Sequence, residues 1–76
     1  MSKLTPLDYR KLVRIFESVG FTVERQKGSH IVMSKPGVAR PVVFPKSKNV
    51  GVDIIKNNMR TAGISREQFF ELLKGS

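Results

Sequence analysis

The sequence predicts an α+β domain in which a three-stranded antiparallel sheet packs against helices on one of its faces. Apolar residues recur at helical spacing near both ends of the 76-residue chain. The middle of the chain holds three short segments suited to strands, separated by turns that contain glycine or proline. Because so small a sheet must bury one side and can leave the other in water, helices on one face are the economical arrangement. We expect a single domain over residues 1–76.

The first helix is predicted to begin at Thr5, whose hydroxyl would cap it. Pro6 then takes the first helical position, and Asp8 follows three residues after the cap. An apolar stripe at spacings of three and four comes next, formed by Tyr9, Leu12, Val13 and Phe16. Gly20 is expected to end this helix in the left-handed conformation.

The three predicted strands cover residues 21–27, 29–34 and 40–44. Gly28 permits a tight turn between the first two strands, and residues 35–37 (Lys-Pro-Gly) predict a second turn. Pro41 and Pro45 cannot donate to a ladder, so the third strand should lie at an edge of the sheet or be short.

Two helices follow a polar loop at residues 46–51. The stripe of the second helix is formed by Val52, Ile55, Met59 and Ala62. This helix should stop at Gly63, and Ser65 is expected to cap a short final helix, with Gln68 three residues after the cap. The apolar residues of the final helix are Phe69, Phe70, Leu72 and Leu73.

The composition favours an anionic partner and excludes several kinds of site. The formal net charge is +8, and each half of the chain carries seven basic and three acidic residues, so the positive charge is spread over the fold. With no cysteine and one histidine, disulfides, thiolate zinc sites and sites of several imidazoles are excluded, and we expect neither metal nor cofactor. No apolar run exceeds three residues and the first residues lack a secretion signal, so we expect a cytoplasmic protein without a membrane partner.

His30 is the candidate for proton transfer, because imidazole ordinarily titrates near neutral pH. The groups suited to bind a phosphate beside it are Arg25, Lys27, Gly28 and Ser29, with a secondary contribution from Lys46 and Lys48 in the polar loop. Strand alternation leaves the orientation of the imidazole open. If the face of Val32 packs on the helices, His30 lies near the core; if Ile31 and Met33 point inward instead, His30 faces water.

Four segments of the chain show a family resemblance. They are Gly20-Phe21, Arg25-Gln26-Lys27-Gly28-Ser29-His30, Val43 to Pro45, and Ala62-Gly63-Ile64-Ser65 followed by Phe69. Together they resemble the HicA family of toxins from bacterial toxin–antitoxin systems, over about Leu7 to Phe70. The resemblance implies a fold similar to the double-stranded RNA-binding domain and an mRNA interferase that needs no metal. It further implies that His30 is catalytic and that a HicB antitoxin neutralises the protein.

The sequence lacks a second histidine that some members of the family carry, which limits the possible mechanisms. Some members carry another histidine near the end of the third strand, where this sequence reads Phe-Pro-Lys-Ser at residues 44–47. We therefore expect His30 alone to act as base toward a ribose 2′-hydroxyl, while water or Lys27 assists the leaving oxygen. By the resemblance, Gly28 and Ser29 are expected to position the phosphate.

Two other functions remain open at the level of sequence. The chain could be a non-catalytic RNA-binding domain that recognises the A-form minor groove, with His30 a structural residue. Alternatively, it could be a protein-interaction domain whose basic face meets an acidic partner.

Overall fold

The computed structural model describes residues 3–75. In chain order the elements are α1 (Tyr9–Ser18), β1 (Thr22–Lys27), β2 (His30–Ser34), β3 (Val42–Pro45), α2 (Val52–Ala62) and α3 (Arg66–Lys74). The strands form an antiparallel meander with β2 in the centre, so β3 lies at an edge as predicted. The predicted α+β fold is confirmed. None of the helices between residues 3 and 75 has the length and apolar character of a membrane-spanning segment.

The core lies on one face of the sheet. Ile31 and Met33 of β2 pair with Phe44 and Val42 of β3, and all four side chains belong to the core cluster. The helices contribute Leu12, Ile15, Phe16, Ile55, Met59 and Phe69 to the same cluster. Successive residues of a strand alternate between faces. His30 therefore lies on the opposite, open face, which decides the orientation that the sequence left undecided.

The predicted start of the first helix at Thr5 is wrong. The N-cap of α1 is Asp8, whose Oδ1 accepts a hydrogen bond from the Arg10 N–H at 2.9 Å. Leu7, just before the cap, forms an isolated antiparallel bridge with Val50 through two backbone hydrogen bonds of 3.2 and 2.7 Å. This bridge holds residue 7 extended, so the helix cannot reach back to Pro6.

The end of α1 follows the prediction at Gly20. The Gly20 N–H donates to the Glu17 carbonyl and the Phe21 N–H donates to the Phe16 carbonyl, both at 3.0 Å. Gly20 has a φ of 100°, which side chains with a Cβ rarely adopt. The rings of Phe16 and Phe21 meet edge to face with 5.7 Å between centroids. These bonds and this apolar contact form a Schellman motif that turns the chain from α1 into β1.

The two later helices also keep their predicted ends. Gly63 follows α2 with a φ of 72°, and Ser65 Oγ accepts a hydrogen bond from the Gln68 N–H at 3.1 Å. The strand limits differ from the predicted ones by one or two residues. Phe21 is engaged in the Schellman motif and Ser29 belongs to the turn, so neither is part of a strand.

Candidate functional site

The β1–β2 turn brings a lysine and the histidine side by side. Lys27 and His30 are direct partners in the antiparallel pairing and flank a turn of two residues, Gly28 and Ser29. Gly28 has a φ of 59° whereas Ser29 has no positive φ, which is the pattern of a type II′ hairpin turn. Directly paired residues share a face with their Cβ atoms about 5 Å apart. The glycine-serine pair thereby fixes the register that juxtaposes the two side chains.

The imidazole of His30 is exposed and unengaged. His30 is the first residue of β2 and is exposed, whereas Ile31, Val32 and Met33 after it are buried. Among residues 3–75, no hydrogen bond or ion pair holds its ring. Both ring nitrogens are thus open to a ligand that approaches the open face.

A bulge in β1 decides which cations share the face of His30. The pairing shifts register between Val23 and Arg25, so that Val23 pairs with Met33 on the core side while Arg25 pairs with Val32 on the open side. Regular alternation would have put Val23, Arg25 and Lys27 on one face. The bulge moves Val23 to the core side and leaves Arg25 and Lys27 on the face of His30. Sequence reasoning missed this bulge. A valine and two basic residues at alternate positions of the strand, which regular alternation would put on one face, were a sign of it.

The β3–α2 loop, which holds Lys46 and Lys48, is tied to the turn at one end. The Lys46 N–H donates to the Ser29 carbonyl at 2.6 Å, so Lys46 lies beside the turn. Farther along, the Ser47 carbonyl accepts from the Tyr9 N–H at 2.9 Å, at the start of α1. Of the predicted phosphate-binding residues, Lys46 is therefore adjacent to the turn, while Lys48 lies toward α1.

Lys48 lies near an ion pair at the start of α1, between Asp8 and Arg10. Arg10 donates to both carboxylate oxygens of Asp8, from Nε at 3.1 Å and from Nη2 at 2.9 Å. These side-chain hydrogen bonds are the main reason that the pKa of Asp8 falls to about 2, and the charge of Lys48 is a smaller cause. Asp8 is thus engaged by cations and by its own helix.

The outer edge of β3 is closed by a side chain that sequence reasoning missed. Asn58 of α2 is buried and forms hydrogen bonds with both the N–H and the carbonyl of Val43. It stands three residues after Ile55 in the apolar stripe of α2. A polar side chain in such a stripe indicates that it forms hydrogen bonds inside the protein. Val43 itself is 39% exposed on the open face.

The predicted site residues all lie exposed on the surface. A pocket of about 320 Å³ lies elsewhere, lined by Arg14, Ser18, Glu71, Leu72 and Gly75, and contains none of the predicted site residues. Within residues 3–75 there is no group of three or more histidine, cysteine or acidic residues placed to hold a metal ion. An exposed imidazole beside cations on a sheet face suits an extended anionic ligand more than an enclosed small molecule.

The sequence matches the model of a known protein family. The sequence model of the family described as HicA toxin of bacterial toxin-antitoxin matches residues 9–64. This span includes the turn, His30, all three strands and the whole of α1 and α2. A search of curated proteins found no match.

Proposed function

The chain belongs to the HicA family of toxins from bacterial toxin–antitoxin systems, and from that premise we propose that it is an endoribonuclease that cleaves mRNA through His30. The observation that carries the proposal is the exposed and unengaged imidazole paired across a two-residue turn with Lys27. A base in this position can reach a ribose hydroxyl, and the neighbouring cation attracts the adjacent phosphate.

The proposed reaction uses the nucleophile that RNA itself supplies. His30 removes the proton of the ribose 2′-hydroxyl, and the 2′-oxygen attacks the adjacent phosphorus. The bond from phosphorus to the 5′-oxygen breaks, and that oxygen takes a proton from water or from Lys27. The products are a 2′,3′-cyclic phosphate and a 5′-hydroxyl. Lys27 also balances the negative charge that grows on the phosphorane oxygens.

The turn supplies further donors for the phosphate. The N–H groups of Gly28 and Ser29 have no acceptor among residues 3–75, which leaves them available to an anion. Arg25 and Lys46 add charge on either side of the turn, and Lys48, nearer α1, suits the phosphate of a flanking nucleotide. These assignments give each predicted phosphate-binding residue a role in holding the RNA backbone.

A single imidazole carries the proton transfer in this proposal. Pro45 pairs directly with His30 from β3, and Lys46 and Ser47 follow it, so that no second histidine stands at the end of the third strand. The leaving oxygen is thus assisted by a group other than histidine. Lys27 is the nearest cation by strand pairing, which makes it our first choice.

We further propose a HicB-type antitoxin as the protein partner and the cytoplasm, where mRNA is translated, as the place of action. Such a partner would cover the turn around Gly28 and His30 with acidic residues, because the surface it must mask is cationic. A complex that left His30 open and RNA cleavage undiminished would contradict this part of the proposal.

The test compares the purified wild type with His30→Ala on a defined single-stranded RNA in the presence of a chelator. We expect His30→Ala to lose cleavage by on the order of 10² to 10⁴, with folding and RNA affinity retained and cyclic phosphate ends in the wild-type products. Gln26→Ala is the matched control, since Gln26 is an exposed residue of the same hairpin that pairs with Ile31 on the other face. It should cleave normally.

Two results would reject the mechanism. An unchanged rate in His30→Ala removes His30 from the chemistry, and retained RNA binding would then favour the non-catalytic RNA-binding domain. Fragments with 3′-hydroxyl and 5′-phosphate ends would mean that water, not the ribose hydroxyl, attacks the phosphorus.

A further inference from the structure

We propose that the open face of the sheet is a nucleotide platform, on which phosphates lie along β1 and nucleobases lie along β3, with the ribose over His30. The inference rests on the proposed ribonuclease function and names the surface that orients its substrate. It assigns to Val43 and Pro45 a role in contacting the bases.

Three parallel rows of side chains form the open face. The β1 row is Lys27 and Arg25, the β2 row is His30 and Val32, and the β3 row is Pro45 and Val43. Neighbouring rows are about 5 Å apart, the spacing of paired strands. One outer row is cationic and the other is apolar, so the face is polarised across its width.

A nucleotide, like this face, has a charged side and a weakly polar side. Its ribose joins a charged phosphate on one side to the broad, weakly polar face of a base on the other. A phosphate over Lys27 and a base over Pro45 would put the ribose over His30, which stands between them in the pairing. A strand of RNA that runs along the sheet would meet Arg25 and Val43 with its next nucleotide.

The apolar row is rigid and accessible. Val43 is 39% exposed, whereas Val32 beside it is only 6% exposed and lies outside the core cluster, which makes it the floor of the face. The backbone of Val43 is held by Asn58 on one side and by the sheet on the other. The face therefore offers a base a fixed aliphatic surface.

Stacking on aromatic rings is not what this face provides. The four fully buried phenylalanines are Phe16, Phe21, Phe44 and Phe69. Bases would instead pack on valine and proline, a contact weaker than stacking on an aromatic ring. The platform can thus be improved by one substitution, which makes the proposal testable by a gain of affinity.

An uncovered apolar face could also bind a protein segment or a second copy of the chain. RNA is favoured because the apolar row is one strand away from the imidazole and two strands away from Lys27 and Arg25 of β1, in one continuous surface. Binding of a protein segment would not require an unengaged imidazole between the two rows, whereas the proposed cleavage of RNA does.

The test uses Val43→Tyr and the matched control Val23→Tyr in the full chain. Val23 is also an exposed strand valine, at 46%, but it pairs with Met33 and lies on the other face. Fluorescence anisotropy measures the affinity for a labelled 2′-fluoro oligouridine of roughly 12 nucleotides, long enough to cross such a surface. This oligomer lacks the nucleophilic hydroxyl, so the protein cannot cleave it by the proposed route.

We expect Val43→Tyr to bind on the order of tenfold more tightly than the wild type, because a base can stack on the new ring. Val23→Tyr should bind like the wild type. With an oligomer of the same length that lacks bases, the gain of Val43→Tyr should disappear. Circular dichroism checks that both variants fold.

Three outcomes would overturn the platform. They are equal affinities of the two variants for the oligouridine, a gain by Val43→Tyr that persists without bases, and self-association of Val43→Tyr in sedimentation velocity without any gain in RNA affinity. The last would assign the face to a second copy of the chain. Because the binding test needs no cleavage, failure of the platform is distinguished from failure of His30→Ala to abolish cleavage.

Discussion

The side-chain amide of Asn58 pairs with the backbone of Val43 at both its donor and its acceptor. The Val43 N–H donates to Asn58 Oδ1 at 3.2 Å, and Asn58 Nδ2 donates to the Val43 carbonyl at 2.9 Å. A helix side chain thus supplies the partners that a fourth strand would offer. The contact closes the outer edge of β3 against pairing with other chains and joins α2 to the sheet.

Replacing Asn58 by alanine should lower the free energy of unfolding by about 2 to 3 kcal/mol, because two hydrogen bonds are lost and the Val43 groups lose their partner. The control is Asn57→Ala, an exposed neighbour on the same helix, which should change stability by less than about 0.5 kcal/mol. Urea unfolding measures both variants. Equal effects would show that the edge contact does not stabilise the fold.

Local rules predicted most element ends, since the groups that stop or start these elements are close in sequence. Gly63 and Ser65 act within a few residues of the helices they bound. The start of α1 was mispredicted because its cause is not local. Leu7 is held by Val50, a residue far away in the chain, and this bridge overrides the Thr5-Pro6 pattern.

The sequence singled out the candidate residues, whose role stays a prediction, but it did not predict their arrangement. The segment from Arg25 to His30 was identified from the glycine turn and its neighbouring charges. The side on which His30 lies depends on how three consecutive apolar residues of β2 are divided between two faces, which the sequence pattern cannot decide. The bulge at Glu24 likewise depends on the pairing with β2.

Replacing Gly28 by alanine should disturb both stability and cleavage. No atom outside the neighbouring residues lies within 4 Å of a Cβ built at Gly28, so the cost comes from its φ of 59° and amounts to about 1 to 3 kcal/mol. Gly37→Ala is the matched control, because Gly37 has a φ of 88° and equally open space but lies in the other turn.

Both glycine variants should lose similar stability in thermal unfolding, and only Gly28→Ala should also slow RNA cleavage at a temperature where both are folded. Similar cleavage by the two variants would mean that the geometry of the β1–β2 turn is unimportant for the reaction.

The carboxylate of Asp8 should make stability depend on pH in the acid range. Its pKa is lowered from 3.8 to about 2, chiefly by the side-chain hydrogen bonds from Arg10. A lowered folded-state pKa means that the stabilisation is complete above pH 3.8 and is lost as the pH falls through about 2. Asp8→Asn keeps a side chain that can cap α1 but removes the charge.

We therefore expect the wild type to lose stability more steeply than Asp8→Asn as the pH falls from about 4 to about 2. Urea unfolding at a series of pH values measures the difference. Parallel curves for the two proteins would show that the ion pair with Arg10 does not contribute to folding.

Replacing Lys27 by glutamine should slow cleavage by more than it weakens RNA binding. Lys27 pairs with His30 across the turn, and in the proposed mechanism its charge also stabilises the phosphorane. The expected loss is on the order of 10² and falls mainly on kcat, because the interaction strengthens in the transition state. Lys56→Gln is the control, since it removes the same charge from an exposed position on α2. If only KM rises, or if Lys56→Gln slows cleavage equally, Lys27 has no specific role in the transition state and contributes only its surface charge.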